Sequence, residues 1–188
     1  MRRLTPLFVL AAVAACADGT TSPTEKPNLA RIQEAEDSHG GTPFMAVLTP
    51  GTEVPVPPGG DPNPAASGVA FLTLNSGQEE ICVSVSFTGL SAPLADSHIH
   101  VGAVGTRGPV IVPFQPADQA PLPKVTSGEF ARCVFASREL IKAIRENPEN
   151  YYVNLHTRSV PANPLTDRPG GAIRGPLQPA QGSDVNQS

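Results

Sequence analysis

Short alternating runs of apolar and polar residues, separated by glycine and proline, constrain the fold of this chain most strongly. The clearest run is 81–87, in which Ile, Val, Val and Phe alternate with Cys, Ser and Ser. Alternation with a period of two indicates a β-strand with one buried face. The chain has 17 glycines and 22 prolines among 188 residues, a composition that argues against a helical bundle.

Seven further segments have strand character and lie between turn residues: 44–48, 69–74, 98–101, 110–114, 128–135, 151–156 and 172–177. Many short strands with such punctuation are typical of a sandwich or barrel. Asn75-Ser76-Gly77 favours a hairpin, so the strands before and after it should pair antiparallel. We therefore predict an all-β fold, an immunoglobulin-like or Greek-key antiparallel β-sandwich with one short connecting helix.

The helix is predicted at 138–147, where Leu140, Ile141 and Ile144 recur at helical spacing. Ser137 is a good N-cap residue, and Pro148 ends the helix after Asn147. We expect the three aliphatic side chains to pack on the core, so that the helix connects two strands.

The N-terminus has the pattern of a secretory signal. Arg2 and Arg3 precede a mostly apolar stretch that runs into Cys16. Residues 1–15 are predicted to be a lipoprotein signal peptide, because Val-Ala-Ala-Cys resembles the bacterial lipobox, and Cys16 is the predicted lipidation site. The alternative is an ordinary signal peptide with an incidental cysteine.

Lipid chains on Cys16 would anchor the protein to a membrane without a spanning helix. We therefore expect an exported lipoprotein of the bacterial cell envelope, and Ala17 resembles the sorting pattern for the outer membrane. Residues 16–42 are polar and predict a flexible tether, 43–178 one compact domain, and 179–188 a disordered tail.

Cys82 and Cys133 remain once Cys16 is assigned to lipid. In an oxidising compartment two such cysteines are expected to form a disulfide. The alternative is a free thiol nucleophile, for which neither cysteine has a histidine nearby in sequence.

Charge and motifs exclude several classes of function. The formal net charge is −4, which gives no electrostatic footprint for nucleic acid. The sequence contains no nucleophile elbow, phosphate-binding loop or zinc-protease helix motif. Close pairs of acidic residues lie only in a turn and in the tether, where solvated carboxylates are the expected interpretation.

Three of the four histidines lie in the predicted domain, and the fourth, His39, lies in the tether. His98 and His100 leave the same face of a strand, because they are two residues apart. If the strand that ends at His156 lies beside them, three imidazoles could converge on one metal ion. The alternative is that these histidines bond backbone carbonyls at strand ends.

Several blocks occur in an order that resembles the CHRD family, named after chordin. They are Glu53-Val54-Pro55, His98-Ile99-His100 with Gly102, Gly108-Pro109-Val110, Tyr152-Val153-Asn154 with His156-Thr157, and Gly171 to Leu177 with Ile173-Arg174-Gly175. The resemblance spans nearly the whole domain. It implies an immunoglobulin-like or related β-sandwich in a secreted or surface protein, and it implies no settled activity for bacterial members.

Two functions follow as hypotheses. The first is a lipid-anchored extracytoplasmic binding or structural module without catalysis, whose partner is an unknown surface protein. The second is a mononuclear copper or zinc protein, possibly redox-active, that uses His98, His100 and His156. The His-x-His strand and disulfide are similar to those of the copper-zinc superoxide dismutases, which however use six histidines.

Three other residues enter the metal hypothesis. Asp96 is the obvious additional ligand near His98, and Asn154 shares the strand of His156. Arg174 could guide an anion to the metal. The alternative for Arg174 is a salt bridge or hydrogen bond at a strand end.

Overall fold

The structure, a computed structural model, describes residues 41–53, 60–159, 161–165 and 167–180. The signal peptide, Cys16 and most of the tether and tail lie outside these residues, so their predictions stand as made. Within them, the strands are β1 (Thr42–Leu48), β2 (Ser67–Asn75), β3 (Glu80–Thr88), β4 (Leu94–Val101), β5 (Val110–Pro113), β6 (Gly128–Phe135), β7 (Tyr151–Thr157), β8 (Arg168–Pro176) and β9 (Gln178–Pro179), and the helix is α1 (Arg138–Glu146).

Two antiparallel sheets form the domain. One has five strands in the order β6-β3-β2-β1-β9, and the other has four in the order β5-β4-β7-β8. At one margin the sheets are joined by two backbone hydrogen bonds between Thr49 and Arg174, of 3.1 and 3.2 Å. The predicted all-β sandwich is confirmed.

Alternation along the strands builds the core. In β3, Ile81, Val83, Val85 and Phe87 are all buried, and the residues between them are more exposed. Across the four-stranded sheet, the inward positions are filled by Ile99, Val153, Leu155 and Ile173, each fully buried. These two sets belong to one continuous apolar cluster, which is the expected result of two facing sheets.

The predicted hairpin and disulfide are also confirmed. Strands β2 and β3 pair antiparallel from Asn75↔Glu80 to Ser67↔Thr88, and the Asn75 carboxamide accepts hydrogen bonds from two backbone amides of the turn. Cys82 and Cys133 lie directly opposite each other on β3 and β6 and are bonded. The disulfide ties the edge strand β6 to the sheet.

Helix α1 begins and ends as the sequence predicts. The Ser137 hydroxyl accepts a hydrogen bond from the Leu140 amide, and Asn147 is the C-cap. Ile141 and Ile144 are fully buried, and Leu140 packs against the same cluster. In the described part of the chain, no helix combines the length and apolar character that a membrane span needs.

Two strands begin a full four residues before their predicted starts, and one strand was missed. Strands β4 and β8 begin at Leu94 and Arg168, four residues before the predicted starts. Their first residues include polar side chains that do not alternate, so they give no strand signal. Strand β9 pairs with β1 through only two residues, which is too short for periodicity to show.

Strand β7 differs from the others in being buried at all seven positions. A strand in a two-layer sandwich normally exposes every second residue. Here the outer face is covered by the segments around Thr52, Thr106, Gly108 and Pro169, which bond to side chains on that face. The sandwich therefore has a buried polar layer outside its four-stranded sheet.

Candidate metal site on the four-stranded sheet

The three domain histidines lie together in this polar layer. His98 and His100 are alternate residues of β4, and β4 pairs with β7 so that His98 lies opposite Asn154 and Asp96 opposite His156. The condition set in the sequence analysis, that the His156 strand lies beside the His98 strand, is therefore met. Each histidine is less than one-tenth exposed, and one nitrogen from each ring lies within 4.8 Å of the other two.

Each imidazole has one nitrogen held by an outer acceptor. His100 Nδ1 lies 2.8 Å from the Gly108 carbonyl oxygen, and His156 Nδ1 lies 2.9 Å from that of Pro169. His98 Nε2 lies 3.2 Å from a carboxylate oxygen of Asp96. Since a carbonyl or carboxylate can only accept, each of these nitrogens carries the proton in a neutral ring.

In neutral rings the remaining nitrogens are unprotonated, and those of His98 and His100 lie next to each other. His98 Nδ1 lies 3.0 Å from His100 Nε2, and His156 Nε2 is buried with no hydrogen-bond partner among the described residues. Two ligands at about 2.05 Å from a tetrahedral zinc ion are about 3.3 Å apart. The spacing of the first pair is close to that value.

Burial disfavours an added proton on the cluster. Desolvation lowers the pKa of His156 to about 4, and the charge of His98 contributes in the same direction. Desolvation also lowers the pKa of His100, with smaller contributions from His98, Arg174 and Arg107. Both pKa values therefore lie on the side that favours uncharged rings at neutral pH.

Asp96 orients His98 from the edge of the site. Its side chain is half exposed. Partial burial by itself would raise the pKa of this carboxyl, but the hydrogen bond with His98 and the charge of that ring outweigh it, and the pKa lies below its usual value. Asp96 is thus an ionised acceptor that fixes the His98 ring, an outer partner common for metal-bound histidines.

The backbone carbonyl that bonds His100 belongs to Gly108, and this position requires glycine. A Cβ atom at this position would overlap the Val101 carbonyl oxygen, so only glycine lets the loop lie against β4. The Val101 amide donates to the Pro109 carbonyl at 3.2 Å, and the Gly108 amide donates to the Tyr152 hydroxyl at 3.2 Å. The loop is thereby held with the Gly108 carbonyl toward His100.

Tyr152 stacks between a histidine and an arginine. Its ring is parallel to that of His100 at 4.7 Å, and the Arg174 guanidinium lies 4.6 Å from its centroid. Arg174 is 4% exposed and donates to the carbonyls of Thr52 and Thr106, at 2.6 and 2.9 Å. A cavity of about 20 Å³ beside Tyr152 and Arg174 has room for roughly one water molecule.

The buried partner of Arg174 is Glu53. Their closest atoms are 3.5 Å apart, and each side chain is 5% exposed. Desolvation raises the pKa of Glu53 to about 7, although Arg174 and Arg107 oppose the shift. Gly171, with φ of +126°, leaves room for this carboxylate, since a Cβ there would lie 2.5 Å from Glu53 Oε1 and 2.7 Å from Asn154 Nδ2.

Sequence reasoning found the three histidines, Asp96, Asn154 and Arg174, and the structure places all six on or beside this face. Of the two roles considered for Arg174, the geometry is that of a salt bridge and backbone hydrogen bonds. The roles of Glu53, Tyr152 and Gly108 were missed. Period-two spacing could have placed Tyr152 on the same strand face as His156. No local sequence signal connects Glu53 with Arg174, which lies 121 residues later in the chain.

Comparison with known proteins gives one match. The CHRD domain family model matches residues 44–177, which include every strand from β2 to β8 and all the residues of the site. Neither curated proteins nor solved structures give a match to this chain. Because the family model covers well over half of the sequence, the chain belongs to the CHRD domain family.

Proposed function

We propose that this CHRD domain is a binding module that holds one copper or zinc ion on His98 Nδ1, His100 Nε2 and His156 Nε2. CHRD membership suggests a non-catalytic module, and the proposal concerns binding. The observation that carries it is the cluster of three buried rings, in which one nitrogen of each ring lies within 4.8 Å of the other two and the other nitrogen of each ring lies within hydrogen-bond distance of an oxygen acceptor.

The donor set determines the type of ion. Neutral imidazole suits copper and zinc, whereas magnesium and calcium prefer oxygen ligands. Three protein ligands leave a fourth position open. The alternative is a proton shared between His98 Nδ1 and His100 Nε2. It would leave the buried His156 Nε2 without a partner among the described residues, whereas a metal ion would use one nitrogen of all three rings.

The test is metal stoichiometry in purified protein, by elemental analysis after titration with Cu(II) or Zn(II). The wild type should bind one ion per chain, and the double variant His98→Ala/His100→Ala should lose it. His39→Ala is the matched control, since it removes the one histidine outside the cluster. Equal affinity in the double variant and the wild type would refute the site.

We also propose that the domain works outside the cytoplasm on a lipid anchor at Cys16. The Cys82–Cys133 disulfide supports export, because such bonds persist in oxidising compartments. In a bacterial host, the wild-type chain should incorporate labelled palmitate and fractionate with membranes, and Cys16→Ala should do neither. An unlabelled wild-type chain would refute the anchor.

A further inference from the structure

A ligand can reach the open coordination position of the proposed metal only through an opening on the solvent side of the cluster. The His98 side chain is 9% exposed and that of its partner Asp96 is 50% exposed, so the cluster lies just below the surface. The groups around this opening determine which ligands can enter. Two arginines, Arg107 and Arg174, act electrostatically on His100, and they are differently placed.

Arg174 is not available to a ligand. Two of its nitrogens donate to backbone carbonyls, Glu53 lies beside it, and the whole residue is 4% exposed. The guanidinium is enclosed by these backbone carbonyls and the Glu53 side chain, so a ligand from solvent has no direct access to it. The anion-guiding role considered for Arg174 from the sequence therefore suits another residue.

Arg107 is the available cation. It is exposed, and within the described ranges it forms no hydrogen bond or ion pair. Its Nη2 lies 3.5 Å from the position that a Cβ on Gly170 would occupy. Gly170 follows Pro169, the acceptor of His156, and Arg107 precedes Gly108, the acceptor of His100. The guanidinium of Arg107, which belongs to the loop that bonds His100, thus lies against the loop that bonds His156.

We propose that Arg107 recognises a small anion that binds the metal at its open position. The inference rests on the metal site proposed above and assigns its ligand class. A divalent ion bound by three neutral rings keeps its full charge, and Arg107 adds a second cation on the solvent side. A guanidinium presents several hydrogen-bond donors in a planar arrangement that suits carboxylates and other oxyanions. Because Arg107 is exposed, its contact with an anion would cost little desolvation energy.

The probe is azide, a small monoanion, added to the Cu(II)-loaded protein and followed by the absorption band that forms when it binds copper. Arg107→Gln should raise the azide Kd about threefold to tenfold, as expected for the loss of one charge several ångströms away in a partly aqueous medium. Arg107→Lys should restore most of the affinity. Arg145→Gln is the control, because it removes an exposed arginine in the last turn of α1.

The effect of Arg107 should shrink as salt rises from about 0.05 to 0.5 M, because screening weakens exposed charges. An azide Kd that is the same in Arg107→Gln and the wild type overturns the inference, as does an equal change in Arg145→Gln. Failure to load one copper ion on the histidines overturns the proposed function and the inference with it. Copper loading with azide binding independent of Arg107 overturns only the inference.

Discussion

His98 Nδ1 lies 3.0 Å from His100 Nε2, and the other nitrogen of each ring faces an oxygen acceptor. Two unprotonated nitrogens at this distance would repel each other, so the pair requires a proton or a metal ion between them. A proton between these two nitrogens would leave the buried His156 Nε2 without a hydrogen-bond partner among the described residues, whereas the proposed metal ion would bind one nitrogen of each ring.

The Asp96 carboxylate should strengthen metal binding through His98. In Asp96→Asn, the ring loses an ionised acceptor and becomes a weaker, less fixed ligand, so the metal affinity should fall about tenfold. Competition with a chelator of known affinity measures this. Asp118→Asn, at an exposed aspartate outside the site, is the control, and an Asp96→Asn affinity equal to that of the control would contradict the assigned role.

Gly108 should be required for the site and not merely for the loop. In Gly108→Ala, the new Cβ would overlap the Val101 carbonyl, so the loop must move and the acceptor of His100 with it. We expect a loss of metal affinity and a lower midpoint of thermal unfolding. Gly51→Ala is the matched control, since its Cβ would contact nothing within 4 Å. Wild-type affinity in Gly108→Ala would show that the carbonyl is dispensable.

Glu53 should make the stability of the metal-free protein depend on pH. Its pKa is about 7 in the fold, against a usual 4.5, so between these values the folded state binds more protons than the unfolded state. The free energy of unfolding therefore falls as pH rises, by at most about 3 kcal/mol in total. The contribution is full below pH 4.5 and is lost as pH rises through 7.

The measurement is denaturant unfolding of the wild type and Glu53→Gln at pH 5 and pH 8, without metal. Glutamine keeps the neutral form at both values, so the wild type should lose stability relative to the variant at pH 8. Glu149→Gln controls for the loss of a carboxylate elsewhere. Parallel pH profiles for the wild type and Glu53→Gln would mean that Glu53 titrates normally.

The disulfide should stabilise the fold without affecting the metal site. Cys82 and Cys133 are 51 residues apart, and a closed loop of that length stabilises by about 4 kcal/mol in the chain-entropy model. Cys82→Ala/Cys133→Ala should lose most of that on denaturant unfolding. It should still bind metal, because the bond lies in the five-stranded sheet and the histidines in the other. A variant that is as stable as the wild type would contradict the estimate.

Sequence patterns predicted the fold well where alternation was strong. The run 81–87, the turn at Asn75 and the capped helix after Ser137 are local signals, and the structure follows each of them. The site was predicted in part for the same reason, since His98 and His100 share a face through period-two spacing. His156 joined them only because β4 and β7 are neighbours, which the sequence left as a condition.

The supporting residues were beyond sequence reasoning. Glu53 reaches Arg174 through a contact between residues far apart in the chain, and no pattern near either residue indicates it. The loop that carries Arg107 and Gly108 entered the sequence analysis only through the block Gly108-Pro109-Val110, which had no assigned role. Its role depends on the Gly108 carbonyl that accepts from His100. Every residue has a backbone carbonyl, so the sequence does not show which one will serve as the acceptor.

Anomalous diffraction from crystals of the copper- or zinc-loaded protein tests the central claim most directly. The account predicts one strong peak at the metal edge, about 2.0–2.1 Å from His98 Nδ1, His100 Nε2 and His156 Nε2. A loaded protein whose peak lies elsewhere, or crystals with no peak at the three histidines after metal soaking, would contradict it.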